Sequence, residues 1–472
     1  MKFSWISVFE YSLSRIIPAF INFGVVIIYT RLFPPEEFGK YILILSIVSL
    51  LSLFSTSFLR PVIVRFYAHY QNKNKVTVFF STVILIYLAF SIIFTLGILI
   101  LYLLGNIQNY YWLNFIHIII LLFILTSFFE SFIHIFRVEN KSKSFSFFWG
   151  IYVLFRHSFA ILLCLLFNPT IKNLFIGFLI GTSLIDSILL SYLLRKYSFK
   201  LNLVEIVDIK LLLKFGLPLV FSNAAFWTLT YFDRFLIEWF RSSEELGVYG
   251  LGFSVSENGL RLIFSSLMLH VYPVLSHVWE SESQDKAENL LSDLSENYLL
   301  IALPVFWVIS LLSKDIVKIL APESYLRSFY IIPMIAYSYL MLGFSEYVAK
   351  GFEMTKNTKY IARIAFGVSL FNLMLNIILI PFFGFVGAGL SLMVSTTFYL
   401  ILSILKVKKF FYWKISIRYL MTLLVLNLFL IFIIYFLISF ISFSWLRIIV
   451  ALLGTVVLYF IFTKKLGLIK FI

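Results

Sequence analysis

The chain has 472 residues, of which 61% are hydrophobic and 13% are charged, and its formal net charge is +15. A soluble domain cannot bury that share of apolar side chains, so the composition excludes a soluble fold and predicts an all-α integral membrane protein. The basic residues lie between apolar runs and form no known binding motif, so no nucleic-acid partner is predicted.

Apolar segments of roughly 20 residues are long enough to cross a bilayer. The sequence contains about fourteen of them, with uncharged pairs of spans broken at Gly105-Asn106 and at Pro381–Gly384. The predicted spans are 9–31, 41–65, 77–104, 111–136, 145–167, 172–194, 211–240, 246–275, 296–320, 327–349, 360–381, 385–405, 416–440 and 445–463. The first span invites interpretation as a signal peptide, but no small-residue cleavage site follows it, so we expect it to be retained.

The basic residues predict the orientation of these spans. If the N-terminus is cytoplasmic, most Lys and Arg residues outside the spans fall on the cytoplasmic side, as the positive-inside rule expects. Both termini are then cytoplasmic. The acidic stretch Glu280–Glu296 is predicted to lie in a cytoplasmic loop, where a solvated amphipathic linker and an interaction site are both open interpretations.

One short segment occurs twice. Glu36-Glu37-Phe38-Gly39-Lys40-Tyr41 matches Glu244-Glu245-Leu246-Gly247-Val248-Tyr249, and each copy follows one long apolar segment and opens the next. Internal repeats indicate duplicated supersecondary units, which in transporters form two halves around a substrate site. The sequence therefore predicts six-span lobes at 1–205 and 206–410, followed by two additional spans at 411–472.

Charged residues inside predicted spans are the candidates for a functional site, because an Arg or Asp at mid-membrane costs about 2.5–3.5 kcal/mol on insertion scales. Arg15 and Asn22 share one face of the first span, together with Pro18, and predict a cationic, kinked helix that lines a cavity. Arg60 in the second span allows two interpretations, a cavity ligand or a side chain that reaches the headgroups.

Three more candidates lie in spans 145–167 and 172–194. Arg156 and His157 are near mid-membrane, and Asp186 is at a similar depth. A proton-responsive site is one interpretation, because His titrates near neutral pH. A buried Arg156–Asp186 ion pair that fixes the packing is the interpretation that we favour.

The second half has its own polar residues. Asp233 and Arg234 lie near the end of one span, and Glu257 and Arg261 in the next span are spaced for an i,i+4 ion pair. Glu130 and Glu346 lie near the predicted cytoplasmic ends of their spans, where gate or headgroup-level pairs are expected, Glu346 with Lys350. Asp233, Glu257, Arg156, His157, Asp186, Glu130 and Glu346 are therefore candidates for ion coupling or gating.

Several kinds of chemistry lack support in the sequence. It contains no phosphate-binding loop of the Walker type, no metal-ligand spacing among its six His residues and no nucleophile motif. Cys164 is the single cysteine, so no disulfide within the chain is possible. No cofactor, no resident metal and no enzymatic activity are predicted, and ATP is not expected to be the direct energy source.

The segment Arg31-Leu-Phe-Pro-Pro-Glu-Glu-Phe-Gly-Lys-Tyr41 resembles the turn after the first helix of Wzx-type polysaccharide flippases, and Asp233-Arg-Phe-Leu-Ile-Glu-Trp-Phe240 with Glu245-Leu-Gly-Val-Tyr249 resembles a second segment of that family. These flippases belong to the multidrug/oligosaccharidyl-lipid/polysaccharide exporter superfamily. The resemblance covers nearly the whole chain in helix number, halves and loop lengths.

The resemblance implies a flippase of the bacterial cytoplasmic membrane that moves an undecaprenyl-pyrophosphate-linked oligosaccharide, of the O-antigen or capsule type, by alternating access. It also implies coupling to a gradient of H⁺ or Na⁺. Membrane lipids and polysaccharide assembly proteins are the further partners it implies. It implies substrate binding in a cationic cavity by Arg15, Arg60, Arg234, Arg261 and Asn22, and a lipid-tail groove on the last two spans. A membrane-embedded glycan polymerase or ligase and a cation-coupled multidrug exporter of the same fold are the alternatives.

Overall fold

The computed structural model describes residues 5–104, 111–466 and 468, with the side chains of 5–16, 104, 262, 266, 269 and 270 excepted. The described residues contain α-helices and short 3₁₀ helices, with no strand, so the predicted all-α fold is confirmed. The α-helices are α1 Trp5–Leu32, α2 Pro35–Ser55, α3 Leu59–Asn72, α4 Val76–Leu104, α5 Ile116–Phe132, α6 Ile135–Val138, α7 Ser142–Leu166, α8 Ile171–Tyr197, α9 Ile206–Tyr231, α10 Asp233–Phe240, α11 Ser243–Ser281, α12 Gln284–Leu311, α13 Ser313–Leu320, α14 Ile332–Met354, α15 Lys359–Phe383, α16 Phe385–Val407, α17 Ile417–Ser439 and α18 Ser444–Lys465.

Eleven helical segments of the described chain are long and apolar enough to cross a membrane. The number rises to twelve if the 3₁₀ helix Glu323–Tyr330 and α14, which meet at 46°, form one span. The two predicted spans outside this set lie on α1 and α11. The chain is therefore a multi-pass membrane protein, while the predicted count of fourteen spans is not confirmed.

The two predicted breaks have different outcomes. α15 ends at Phe383 and α16 begins at Phe385, so the break at Pro381–Gly384 is confirmed. The predicted break at Gly105-Asn106 lies outside the described residues.

The prediction of a loop at Glu280–Glu296 is wrong, because nearly all of this stretch is helical. α11 continues to Ser281, and α12 begins after Ser283, whose hydroxyl accepts a hydrogen bond from the Lys286 amide at 3.3 Å. Such a cap satisfies an amide that otherwise lacks a partner at the start of a helix. A sequence rich in Ser and Glu therefore encodes a capped helix here and not a linker.

The acidic residues of this stretch hold the segment between α16 and α17. The Glu288 carboxylate accepts a hydrogen bond from the Tyr412 amide at 2.8 Å, and the Glu296 carboxylate accepts one from the Ser416 amide at 3.1 Å. Both glutamates are buried. Their carboxylates satisfy backbone groups that a non-helical segment would otherwise leave unpaired.

The chain divides into two compact units. The N-terminal unit contains the chain up to Val25 and Lys40–Trp227, and the C-terminal unit contains Val26–Gly39 and Thr228–Ile472. The lobe boundaries predicted at 205 and 410 stay a prediction.

The core of the N-terminal unit is aromatic. The rings of Phe129 and Tyr152 stack at 3.7 Å between centroids, and those of Phe80 and Tyr197 stack at 3.8 Å. Aromatic side chains bury large areas with few rotatable bonds, and ring pairs add about 0.5–1.5 kcal/mol beyond the buried area. Part of the chain's unusually large number of Phe side chains is buried in this packing.

Within the C-terminal unit, the two copies of the repeated turn contact each other directly. A Cβ atom added to Gly39 would lie 1.8 Å from the Ser243 carbonyl oxygen, and one added to Gly247 would lie 1.9 Å from the Pro35 carbonyl oxygen. Each glycine therefore meets the backbone of the other copy. The repeat found in the sequence is a pair of helix starts, on α2 and α11, that pack backbone against backbone.

Further contacts within the C-terminal unit involve the segment where α1 ends and α2 begins. The Tyr325 hydroxyl donates a hydrogen bond to the Phe33 carbonyl at 2.9 Å, and the Thr30 hydroxyl donates one to the Leu320 carbonyl at 3.2 Å. The rings of Phe38 and Tyr325 meet edge to face at 5.9 Å. These bonds fix the end of α1 and the start of α2 against the rest of the C-terminal unit.

We predict that Gly39→Ala and Gly247→Ala each lower the free energy of unfolding by about 1–3 kcal/mol, because the added methyl group meets backbone atoms that cannot turn away. The thermal unfolding midpoint of the purified protein in detergent measures the effect. Gly97→Ala on α4 is the matched control, since its Cβ atom would have nothing within 4 Å. A Gly39→Ala protein that is as stable as the control would contradict the packing.

Candidate functional site

The predicted substrate-binding residues of the N-terminal unit lie on α1 and α3. Arg15 lies on α1, and its side chain is outside the described residues. Asn22 is half-buried on the same helix. Arg60 lies in the first turn of α3 and forms a close ion pair with Glu130 of α5. Arg60, a predicted substrate-binding residue, is therefore paired with Glu130, a predicted gating residue. The Arg60 side chain is 39% exposed, and the Glu130 side chain is 32% exposed.

The polar residues of α7 and α8 lie between two closely packed helices. A Cβ atom added to Gly177 would lie 2.4 Å from the Ala160 Cα atom, and one added to Gly181 would lie 2.5 Å from the Phe155 carbonyl oxygen. Small residues four apart allow this close approach of membrane helices. The four-residue spacing of Gly177 and Gly181 is a signal for this packing in the sequence, although neither glycine was among the predicted residues.

The Arg156–Asp186 ion pair that we favoured is not formed among the described residues. The Arg156 guanidinium carbon lies 4.3 Å from the centre of the Phe178 ring, about two helical turns before Asp186 on α8. The His157 ring meets the same Phe178 ring edge to face at 5.2 Å. Similar depth along two helices did not bring the two charges together, because the Arg side chain points to another turn of α8.

Asp186 is consequently a buried carboxyl group without a donor among the described residues. The residue is 5% exposed, and within that part of the chain both carboxylate oxygens lack a hydrogen-bond partner. The Tyr152 hydroxyl, on the neighbouring α7, is also buried without a hydrogen-bond partner in the described chain. Orphaned buried polar atoms of this kind require an explanation such as a proton, an ion or a water molecule.

In the C-terminal unit, α9 and α10 meet at a break just before Asp233 and Arg234. Asp233 is buried and accepts a close hydrogen bond from the Tyr249 hydroxyl of α11. The Arg234 guanidinium carbon lies 4.4 Å from the centre of the Tyr231 ring and 4.8 Å from that of Phe253. The electron-rich faces of two aromatic rings thus stabilise this cation.

Tyr231 also connects Arg234 to the polar stripe of α11. Its hydroxyl donates a hydrogen bond to Glu257 Oε1 at 3.1 Å, and Arg261 Nη1 lies 2.5 Å from the same oxygen. The ion pair that the i,i+4 spacing predicted is therefore present. The Glu257 side chain is 17% exposed and that of Arg261 is 51% exposed, so the guanidinium is the accessible end of this group.

We call Tyr231, Arg234, Glu257 and Arg261 the arginine cluster. The two guanidiniums outnumber the one carboxylate among its members, and an Arg side chain has five N–H donors in a planar fork. Tyr231 and its neighbour Phe253 were not among the predicted site residues, because only charged and amide side chains were candidates. Such a cluster can bind a phosphate group in a bidentate way.

Glu346 is half-buried on α14, and its predicted pair with Lys350 is replaced by another. Lys350 Nζ lies 2.6 Å from Glu353 Oε1, three residues further along the helix, and 5.2 Å from the centre of the Tyr272 ring. The lysine is therefore held by other groups. The role of Glu346 in gating stays a prediction.

A groove runs along α17 and α18. Its volume is about 480 Å³, and most of its lining is apolar, with Arg418 and Thr422 as the polar members. The remaining lining residues are Met421, Val425, Leu426, Phe429, Phe462 and Leu466. The groove lies on the two spans for which the resemblance implies a lipid-tail groove, and its role in binding a lipid stays a prediction.

The described residues contain no group of three or more His, Cys, Asp or Glu side chains placed to hold a metal ion. The described sites contain Arg side chains, which can bind anions, and buried carboxyl groups, which can take up protons or cations.

Two family models match the chain. The family described as polysaccharide biosynthesis protein matches residues 4–279, which is more than half of the chain, and the MatE family matches residues 218–378. The probable low-salt glycan biosynthesis flippase Agl15 of Haloferax volcanii is 22% identical over 207 residues, which make up 44% of this chain and 43% of that protein. The chain therefore matches less than half of that relative's length.

Solved structures show the same fold. The lipid II flippase MurJ in an inward closed conformation has a TM-score of 0.73 and 20% identity, covering 98% of this chain and 100% of its own. An inward-facing multidrug resistance MATE family transporter has a TM-score of 0.65 and 12% identity, covering 84% and 98%. The resemblance that the repeated turns indicated is confirmed: this chain belongs to the polysaccharide biosynthesis protein family, within the multidrug/oligosaccharidyl-lipid/polysaccharide exporter superfamily.

Proposed function

We propose that this protein is a flippase that moves an undecaprenyl-pyrophosphate-linked oligosaccharide across a bacterial cytoplasmic membrane. The observation that carries the proposal is the arginine cluster, in which the half-exposed side chain of Arg261 is paired with Glu257. Pyrophosphate oxygens match the planar fork of Arg, and a cation held in place before binding loses less conformational freedom. Family membership supports the same substrate class.

The α17–α18 groove supports a lipid as part of the substrate. Its apolar lining suits a polyprenyl chain, and Arg418 supplies a cation at one end. A hydrocarbon chain in a groove of the protein keeps its contacts with apolar surface while the polar head crosses. In this proposal the substrate is amphipathic, with a chain for the groove and an anionic head for Arg.

The alternatives fit the described residues less well. A cation-coupled drug exporter needs accessible carboxylates, yet Asp233 is buried against Tyr249, and Glu257 is covered by Arg261. A glycan polymerase or ligase needs catalytic groups that are accessible to sugar, and the family relatives named above are transporters and flippases.

We further propose that Asp186 couples transport to an ion gradient. An ionised carboxylate that is buried without a donor is unfavourable, so the group gains from binding a proton or a cation. With a proton or a cation bound, the carboxyl group is neutral or its charge is compensated. Without one, its buried negative charge is unfavourable. That difference is what allows an ion gradient to shift a conformational equilibrium.

The substrate is tested by flipping in proteoliposomes. We load a fluorescent undecaprenyl-pyrophosphoryl oligosaccharide and follow its protection from an external reagent that modifies the glycan. Wild type is expected to move the lipid, and Arg261→Ala is expected to slow transport about tenfold or more, since a hydrogen bond to a charged group contributes about 1.5–3 kcal/mol. Arg363→Ala, which removes an exposed guanidinium of α15 outside the cluster, is the matched control.

Each other result has a definite meaning. A wild-type protein that leaves the lipid-linked glycan in place but extrudes small cations is a drug exporter, and one that lengthens the glycan is an enzyme. Equal rates for Arg261→Ala and Arg363→Ala would remove the arginine cluster from the substrate site.

The coupling proposal is tested with Asp186→Asn, which keeps the shape of the side chain and removes its charge. We expect wild-type flipping to respond to an imposed H⁺ or Na⁺ gradient, and the variant to lose that response while it keeps gradient-independent flipping. Asp208→Asn is the control, because the Asp208 carboxylate already accepts a hydrogen bond from the Tyr70 hydroxyl at 2.5 Å. An unchanged gradient response in Asp186→Asn rules out this role.

A further inference from the structure

A second groove, of about 660 Å³, lies in the N-terminal unit beside the last turns of α8. We call it the basic groove. It is near the end of the spans that the distribution of Lys and Arg predicts to be cytoplasmic. Its polar lining consists of Lys141, Ser187, Ser191, Tyr192, Arg195 and Lys196.

The cations of the basic groove are positioned by one buried carboxylate. Glu139, whose side chain is 4% exposed, lies 2.9 Å from Lys141 Nζ and 2.6 Å from Lys196 Nζ. The hydroxyls of Tyr192 and Tyr197 also donate hydrogen bonds to it. Burial opposes ionisation of Glu139, but the hydrogen bonds from these lysines and tyrosines outweigh burial and hold its pKa below the ordinary value.

The groove remains positive after this pairing. The groove has three basic side chains, and one carboxylate offsets one of these charges. The C-terminal end of α8 adds roughly half a negative charge. The balance is roughly one and a half positive charges. Arg195 is exposed and has no ion pair or hydrogen bond among the described residues, so its guanidinium is available to a ligand.

An exposed apolar stripe leads along α8 to the groove. Ile180, Leu184 and Ile188 follow one another at intervals of one helical turn on α8 and are 38%, 43% and 53% exposed. Ile188 itself lines the groove. A ligand that fits both parts has a phosphate at the lysines and Arg195 and a hydrocarbon chain along the stripe.

We propose that the basic groove is a binding site for an anionic glycerophospholipid, with the headgroup phosphate at Arg195, Lys141 and Lys196 and an acyl chain along Ile180, Leu184 and Ile188. The site is separate from the arginine cluster and does not depend on the proposed substrate. A zwitterionic lipid is a weaker ligand, because its own cation repels the groove. A free phosphate ion lacks the chain that the stripe receives.

Native mass spectrometry of the purified full chain, titrated with phosphatidylglycerol, measures this binding. We expect phosphatidylglycerol to bind more tightly than phosphatidylcholine, and Arg195→Gln to weaken its binding about fivefold, since one Lys or Arg near an anionic surface contributes about that factor. Arg195→Lys is expected to keep most of the affinity. Lys73→Gln removes an exposed cation outside the groove and is the matched control.

A second variant tests the shape of the site without changing its charge. Ser191→Phe places a ring in the groove and is expected to weaken phosphatidylglycerol binding while the thermal unfolding midpoint stays unchanged. Equal binding of the two lipids by wild type, or equal effects of Arg195→Gln and Lys73→Gln, would overturn the proposal. Displacement of the lipid by an equal concentration of inorganic phosphate would assign the groove to a free anion and overturn it as well.

Discussion

The backbone contact between Gly39 and Gly247 is the constraint on which the C-terminal unit depends. It joins the starts of α2 and α11 with no side chain between them. Because α11 is one continuous helix from Ser243 to Ser281, this contact also fixes the position of the groups further along it. At 1.5 Å per residue, Glu257 lies roughly 15 Å and Arg261 roughly 21 Å from Gly247. The contact between the two copies of the repeated turn thus helps to determine where the arginine cluster lies in the C-terminal unit.

Several charged groups of the described helices follow one physical rule. Arg60 is paired with Glu130, Arg261 with Glu257, and Asp233 with a tyrosine hydroxyl. Each arrangement offsets the loss of hydration, which is what keeps charged groups tolerable in a membrane protein. Asp186 has no such compensation among the described residues. This uncompensated carboxyl group is the observation on which the proposed coupling role of Asp186 rests.

The sequence predicted what depends on neighbours along the chain. Apolar length located most spans, Pro and Gly located the break at Pro381–Gly384, and i,i+4 spacing predicted the Glu257–Arg261 pair. Contacts between distant helices were not predictable, because depth in the membrane does not determine which way a side chain points. The Arg156 side chain therefore packs on the Phe178 ring and does not pair with Asp186, and Arg60 forms an ion pair with Glu130. The acidic composition of Glu280–Glu296 wrongly predicted a loop, since Ser283 caps a helix there.

The most direct test of the account is whether the purified protein recognises pyrophosphate on a lipid. Equilibrium binding of undecaprenyl pyrophosphate is compared with that of undecaprenol, which has the same chain and no anionic head. We expect wild type to bind the pyrophosphate clearly more tightly, and the double variant Arg234→Ala/Arg261→Ala to lose that preference. Equal binding of the two lipids by wild type, or an unchanged preference in the double variant, would contradict it.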